Sequence, residues 1–394
     1  MGFTMEHLRR HKWTWRFLRL IGRPLLKLLT HYDDEVCTEK GPLLIMSNHN
    51  TNLDPLFLGA AFPEYMSFVA TEHVFRMGLA GRVIRYLMAP IPFTKGGMGA
   101  DAVRRTLRRL KEGVNVALYA EGDRSYNGLT GPIEAATGQL ARLSGATLVT
   151  YRLDGGYFTS PRWCGAGLRI GKMTGRVMHV LKPEELKAMS VEDINALIRD
   201  DLFVDAYAKQ RENPVRYKGK NLAEHMETAL CYCPACGQFG RLHSEGDTFS
   251  CECGFSVKYT EYGFLEGDHA PYDNITDWDK AQTEALQALA DGGNGPYFSD
   301  DQMVLKEIFP DRHEETELGR GEMTLFSDRL ECCGESFPIK AITGTALFGP
   351  QTFNFACGGR YFEVKSQEVR CTRKYVTVIR HLLNKIRNEK SFPA

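Results

Sequence analysis

Up to about residue 200, short apolar runs alternate with segments of helical period. Leu43 to Met46, Met66 to Ala70, Val114 to Tyr119, Thr147 to Tyr151 and Arg176 to Leu181 have the length and composition of strands. Between two of them, Ala100 to Glu112 puts Val103, Leu107 and Leu110 on one helical face, with Arg104, Arg105, Arg108, Arg109 and Lys111 elsewhere. Such alternation predicts an α/β domain, assigned to 31–212. Asn213 to Asn221, polar and holding Pro214 and Gly219, reads as a linker. A cysteine-rich module follows over 222–262, and 270–394 reads as a helix plus a small β-rich domain. Its helix runs from Ile275 to Asp291 and stops at Gly292-Gly293-Asn294-Gly295-Pro296. The period then becomes two, with β-like runs at Gly321 to Leu325, Arg329 to Cys332, Ser336 to Ile339, Thr352 to Ala356 and Tyr361 to Val364. A closing helix from Arg373 to Ile386 suggests a small sandwich or barrel capped by one helix.

The first thirty residues change the picture in a different way. Leu8, Trp15, Leu18, Ile21, Leu25, Leu28 and Leu29 recur at helical spacing among Arg9, Arg10, Lys12, Arg16, Arg19, Arg23 and Lys27, with Glu6 the acidic residue. This is a basic amphipathic helix over 1–30, suited to an anionic membrane surface or to packing on the protein's own core. Pro24 is expected to break or kink it. No apolar run approaches the length of a membrane span, and the segment lacks a signal-peptide core.

With 394 residues the chain exceeds one ordinary core, and 43% hydrophobic with 25% charged residues describe a globular protein. Charge balances overall, 49 basic against 49 acidic residues, but it is unevenly spread, with the basic excess in the first thirty residues.

Candidate chemistry sits just after two of the strand-like runs. Ser47-Asn48-His49-Asn50-Thr51-Asn52-Leu53-Asp54-Pro55 follows Leu43 to Met46, and Asp54-Pro55 reads as a helix start. Residues five apart on a helix point away from each other, so His49 and Asp54 can meet only across a turn. Such a pair forms a general base, one ring nitrogen taking a proton while the carboxylate holds the other. The plainer alternative is a loop histidine beside a helix cap. Tyr119-Ala120-Glu121-Gly122-Asp123-Arg124-Ser125 follows Val114 to Leu118. There Arg124 offers a donor fork for phosphate, Gly122 allows close backbone approach, and Glu121 holds the loop or accepts from a substrate hydroxyl. Parallel strands release their carboxyl ends on one edge, where both clusters can converge.

Five of the eleven cysteines fall between Cys231 and Cys253. Cys233-Pro-Ala-Cys236-Gly and Cys251-Glu-Cys253-Gly have the spacing of a tetrathiolate zinc ribbon, with an iron–sulfur site or a redox dithiol as alternatives. Cys233 and Cys236 are the firmest ligands, because Cys231 is a spare thiolate that can stand in for another. With four valences filled, the metal is structural, a staple for a module too small for its own core. Glu245, Asp247 and Glu252 beside Arg241 and His243 leave the ribbon without a basic patch, so no nucleic-acid partner is expected.

Taken together, the Asn-His and Asp of the first cluster and Glu-Gly-Asp-Arg-Ser of the second resemble the glycerolipid acyltransferase family, whose type members are the 1-acylglycerol-3-phosphate acyltransferases. The resemblance covers about residues 10 to 205. Lys95, in Ile91-Pro92-Phe93-Thr94-Lys95-Gly96, stands where the family usually has an arginine, Asp123 replaces the usual threonine, and Val149-Thr150-Tyr151 lacks the usual proline. Asp154 to Trp163 is assigned loosely to the substrate crevice.

The resemblance implies a mixed sheet flanked by helices and acyl transfer from coenzyme A or acyl carrier protein to the sn-2 hydroxyl of lysophosphatidic acid. It implies catalysis by His49 and Asp54 without an acyl-enzyme intermediate, and acceptor binding by Lys95, Glu121, Gly122, Arg124 and Ser125. The protein is then expected to lie peripherally on the cytoplasmic face of the cell membrane. The alternatives are another lysophospholipid acceptor or a catalytically silent lipid-binding adaptor. The last ninety residues loosely resemble pleckstrin-homology-like lipid-binding domains.

Overall fold

The computed structural model describes residues 5–93, 99–164, 167–293 and 295–391. They form two compact units, one up to Gly219 and one from Lys220 onward, with Arg162 to Cys164 grouped in the second.

The strands of the first unit are β1 (Asp33–Asp34), β2 (Leu43–Ser47), β3 (Met66–Thr71), β4 (Ile91–Phe93), β5 (Asn115–Tyr119), β6 (Thr147–Asp154) and β7 (Thr174–Leu181). Its helices are α1 (Met5–Thr30), α2 (Asp54–Ala61), α3 (His73–Arg76), α4 (Gly78–Met88), α5 (Ala100–Lys111), α6 (Ala136–Leu143), α7 (Gly156–Thr159), α8 (Pro183–Ala188), α9 (Val191–Leu202) and α10 (Ala206–Glu212). The sheet order is β1-β7-β6-β2-β5-β3-β4. The run from β6 to β4 is parallel, and β7 pairs antiparallel with β6, so the sheet is mixed. All five strands expected here from apolar runs are present. Each alternates its side chains between two cores: Ile45, Ala117, Val149 and Tyr151 pack with α1 and α2, whereas Leu44, Met46, Val116 and Leu148 pack with Leu110, Leu140, Ile194 and Ile198.

Three expectations are refined by the structure. The helix α1 runs through Pro24, which removes one backbone donor without ending the helix. Its apolar positions do not form one packed stripe: Leu8 and Trp15 are buried, while Trp13, Phe17, Leu18, Leu20, Ile21, Leu25, Leu28 and Leu29 are exposed. Four of its cations are tied to the unit itself, with Arg23 and Lys27 on the buried Asp34, Arg19 on the Ala60 carbonyl and Arg16 on Glu64. Third, the stretch read as a linker does hold the division between the units, after Gly219, but it is anchored on its way there: Lys218 pairs with Ile170 and Tyr217 is buried.

In the second unit β8 (Leu242–Glu245), β9 (Thr248–Cys251), β10 (Ser256–Tyr259) and β11 (Leu265–Glu266) form an antiparallel sheet ordered β11-β10-β9-β8. Helix α11 (Ile275–Gly292) follows, its Trp278 packed on Phe249 and Phe255. Then β12 (Phe298–Phe309), β13 (Glu314–Leu325), β14 (Arg329–Cys332), β15 (Glu335–Pro338), β16 (Ile342–Phe348), β17 (Thr352–Cys357) and β18 (Arg360–Ser366) precede α12 (Arg373–Ser391). They form one antiparallel sheet, β15-β14-β13-β12-β18-β17-β16. The period-two reading missed β12 and β16. β12 opens with Ser299-Asp300-Asp301-Gln302 and Gly344 interrupts β16, so neither alternates cleanly. Trp163, assigned above to the crevice with the stretch before it, lies edge-on to Tyr259 in the second unit.

Candidate active site

Strands β2 and β5 are parallel neighbours with Ser47 opposite Tyr119, so the loops that follow them leave the same sheet edge side by side. The first loop is bound to β6 by Asn48, whose side chain donates to the Leu153 carbonyl and accepts from the Leu153 N–H, both at 2.8 Å. Asn50 donates to the same carbonyl at 3.2 Å. A Cβ on Gly156, the first residue of α7, would come 2.9 Å from the Asn50 Cβ, so that close approach requires glycine.

With its ends pinned, the loop turns His49 back on Asp54, and Nδ1 lies 2.8 Å from Oδ2. The N-cap position of α2 falls on Leu53, and the Asp54 carboxylate points back into the loop. Its oxygens accept from Asn50 N–H at 2.6 Å, Thr51 N–H at 3.0 Å and the Thr51 hydroxyl at 2.9 Å. Asp54 is fully buried and hydrogen-bonded on both oxygens, so its carboxylate is fixed in place facing Nδ1. A carboxylate facing Nδ1 puts the ring proton there and leaves the Nε2 lone pair for a substrate. Burial lowers the His49 pKa, Asp54 opposes that shift, and Arg124 adds to it, so the imidazole is neutral near pH 7.

The second loop holds the first. Glu121 Oε1 accepts the His49 N–H at 2.7 Å and Oε2 accepts the Gly131 N–H at 2.5 Å, while Ser125 N–H donates to the His49 carbonyl at 2.9 Å. Both backbone groups of the histidine are thereby fixed by the other motif. Burial pushes the Glu121 carboxyl up to about 8, against the two backbone donors that pull it down. The Ser125 hydroxyl donates to the Leu129 carbonyl and accepts from Gly128 N–H. Gly122 is exposed with φ of 67°, a conformation that favours glycine, and Arg124 is half-buried, near enough for its charge to act on His49. Lys95 lies outside the described residues.

Asn48, Asn50 and Thr51 are loop-holding residues that the sequence reading passed over. Their signal was present, since short amide and hydroxyl side chains flanking one histidine are the types that bond to nearby backbone.

In the second unit the sulfurs of Cys233, Cys236, Cys251 and Cys253 lie within 4.8 Å of one another, with Cys233 to Cys253 at 3.8 Å and Cys236 to Cys251 at 3.9 Å. A tetrahedral ion about 2.3 Å from each sulfur sets them about 3.8 Å apart, so the four thiols fit a zinc-sized ion. Gly237 and Gly254, at positive φ, close the two cysteine turns. Cys231 is not in the cluster: its N–H donates to Gln282 and its thiol meets Cys371.

An α/β sheet that presents a histidine–carboxylate pair and an arginine-bearing loop at the carboxyl ends of adjacent strands has the groups that can deprotonate a bound hydroxyl. Residues 29–154 match the model of the family described as Acyltransferase, which places this segment in the acyltransferase family, as the two motifs had implied. Among solved structures, the 1-acyl-sn-glycerophosphate (LPA) acyltransferase PlsC from Thermotoga maritima is similar, with a TM-score of 0.43 and 16% identity, covering 52% of this chain and 82% of that chain. No curated protein matches the chain.

Proposed function

We propose that the protein is a peripheral membrane acyltransferase that moves a fatty acyl group from an acyl thioester to the sn-2 hydroxyl of lysophosphatidic acid, giving phosphatidic acid. The observation that carries this reading is the His49 imidazole, neutral, held at Nδ1 by buried Asp54 and at both backbone groups by the second motif loop. Nε2 takes the hydroxyl proton as the oxygen attacks the thioester carbonyl. The tetrahedral intermediate then expels the thiolate, which recovers that proton from the imidazolium, and no acyl-enzyme forms. General-base assistance of this kind is worth about 10²- to 10⁴-fold. Arg124 and Lys95 supply cations for the acceptor phosphate, Gly122 gives its backbone room to approach, and Glu121 and Ser125 keep the loops in register.

The exposed outer positions of α1, with exposed Leu79, Val83 and Tyr86 of α4, support membrane contact. The two helices are neighbours: the Arg10 guanidinium lies 4.4 Å from the Tyr86 ring centre, and His11 reaches the Leu87 carbonyl at 3.2 Å. Among the described residues no helix is long and apolar enough to cross a membrane. In the second unit we assign the four cysteines to a structural zinc in a ribbon, where the ion supplies folding energy and no reactive position. Seven antiparallel strands closed by α12 support a pleckstrin-homology-like reading of the remainder.

The test supplies purified protein with liposomes holding lysophosphatidic acid, and with labelled acyl-CoA or acyl carrier protein. Labelled phosphatidic acid is the expected product. Transfer only to a different lysophospholipid would replace the acceptor, and no transfer to any would favour a silent adaptor.

A further inference from the structure

Tyr119 ends β5, and the mechanism above leaves it unused. Its ring lies flat against the His49 imidazole, with centroids 4.0 Å apart and planes inclined by 12°. Ser47 opposite Tyr119 in the parallel pair explains the placement, since the residue closing one strand must flank the loop that leaves the other. The Tyr119 hydroxyl is buried and has no hydrogen-bond partner among the described residues. What holds the ring is therefore packing, part of it against the core cluster of Ile45, Phe57 and Ala117.

Asp54 grips the imidazole at one atom, Nδ1, and a single hydrogen bond leaves the ring free to tilt about it. A flat aromatic face removes that freedom and keeps Nε2 directed at one point, which matters because proton transfer depends on alignment. The stack also has a charge consequence. While the acceptor proton sits on Nε2 the imidazole is a cation, and a cation over the face of an aromatic ring is stabilised by the ring quadrupole. Asp54 from α2, with Asp123 and Arg124 from the β5 loop, are the charged groups acting on the same imidazole, while the titratable Glu121 carboxyl bonds the His49 backbone N–H.

We infer that Tyr119 is the positioning residue of the general base: its ring fixes the plane of His49 and stabilises the imidazolium, and its hydroxyl takes no part. The inference rests on the reading of His49 as the base.

The test replaces Tyr119 by phenylalanine, by leucine, and by a series of increasingly fluorinated phenylalanines that keep shape while weakening the negative face. Phenylalanine should retain wild-type turnover within about 2-fold and melt no lower, because it removes only an unpartnered hydroxyl. Leucine should lower kcat by about 3- to 30-fold with the acceptor KM unchanged, and the acid limb of kcat/KM should move to lower pH. Along the fluorinated series kcat should fall step by step, a readout that stands even if the leucine variant does not fold. A flat fluorinated series, or a phenylalanine variant as slow as the leucine variant, overturns the inference. His49→Ala is assayed in parallel: if that variant is inactive and the series is flat, Tyr119 loses its role while the base keeps its own. If His49→Ala turns over normally, both readings fall.

Discussion

His49 is held by Glu121 from 72 residues away, and its neighbour Asn48 is clamped to Leu153 across 105 residues. The four sulfurs of the second unit, by contrast, come from two turns whose bonded ends, Cys233 and Cys253, are 20 residues apart. The His49 loop is thus a product of the whole parallel sheet, and its geometry can be no better than the register of β2, β5 and β6. The cysteine cluster is local, built by its two turns, and on the proposed reading an ion completes it. A centre of the first kind should lose function gradually as its distant supports are removed. One of the second kind should fail all at once.

The largest effect expected from this contrast is on the second unit. A structural zinc contributes about 10–16 kcal/mol of apparent binding free energy in isolated zinc-finger peptides, as much as the whole stability of an ordinary domain. One zinc per chain should appear on denaturing release. Cys233→Ser with Cys236→Ser should open residues 222–262 to protease and shift the emission of Trp278, which packs on Phe249 and Phe255 beside the cluster. A variant with native cleavage and emission would remove the metal from the account.

The His49 loop should respond in smaller steps. In Glu121→Gln the side-chain amide turns an N–H toward one of the two backbone donors, His49 or Gly131, and one hydrogen bond is lost. An unsatisfied buried donor costs about 1–3 kcal/mol, so melting should show a loss of that order. If Glu121 only holds the loop, kcat falls and the acceptor KM stays constant; a rise in KM alone would instead make it a substrate contact.

The same contrast governs how much was legible in the sequence. The cysteine turns could be read directly, because their ligand geometry depends on spacing along the chain, although only the fold could show that Cys231 belongs with Cys371 and Gln282. Strands β2 and β5 were equally plain as apolar runs, and the start of α2 at Asp54 followed from Pro55. The direction in which Asp54 points was not legible. A carboxylate that starts a helix can cap that helix or turn back into the loop, and here Asn50 N–H, Thr51 N–H and His49 draw it back. In α1, helical spacing described one apolar stripe, but Leu8, Trp15 and Leu26 meet the core while Leu20 and Leu28 are left to solvent. β13 was read only from Gly321 because its first half, Glu314-Glu315-Thr316-Glu317, is polar on both faces.

The central claim is that His49 is the base, and the most direct test is the pH dependence of kcat/KM for wild type and for His49→Ala, each shown to be folded by circular dichroism. Burial holds the His49 pKa below 6.5, so the neutral form is present at pH 7 and is lost as pH falls through the lowered pKa. The wild type should therefore keep full activity at neutral pH and lose it along an acid limb whose midpoint lies below 6.5. His49→Ala should be slower by about 10²- to 10⁴-fold and lack that limb. Equal rates, or the same limb in the variant, would contradict the account.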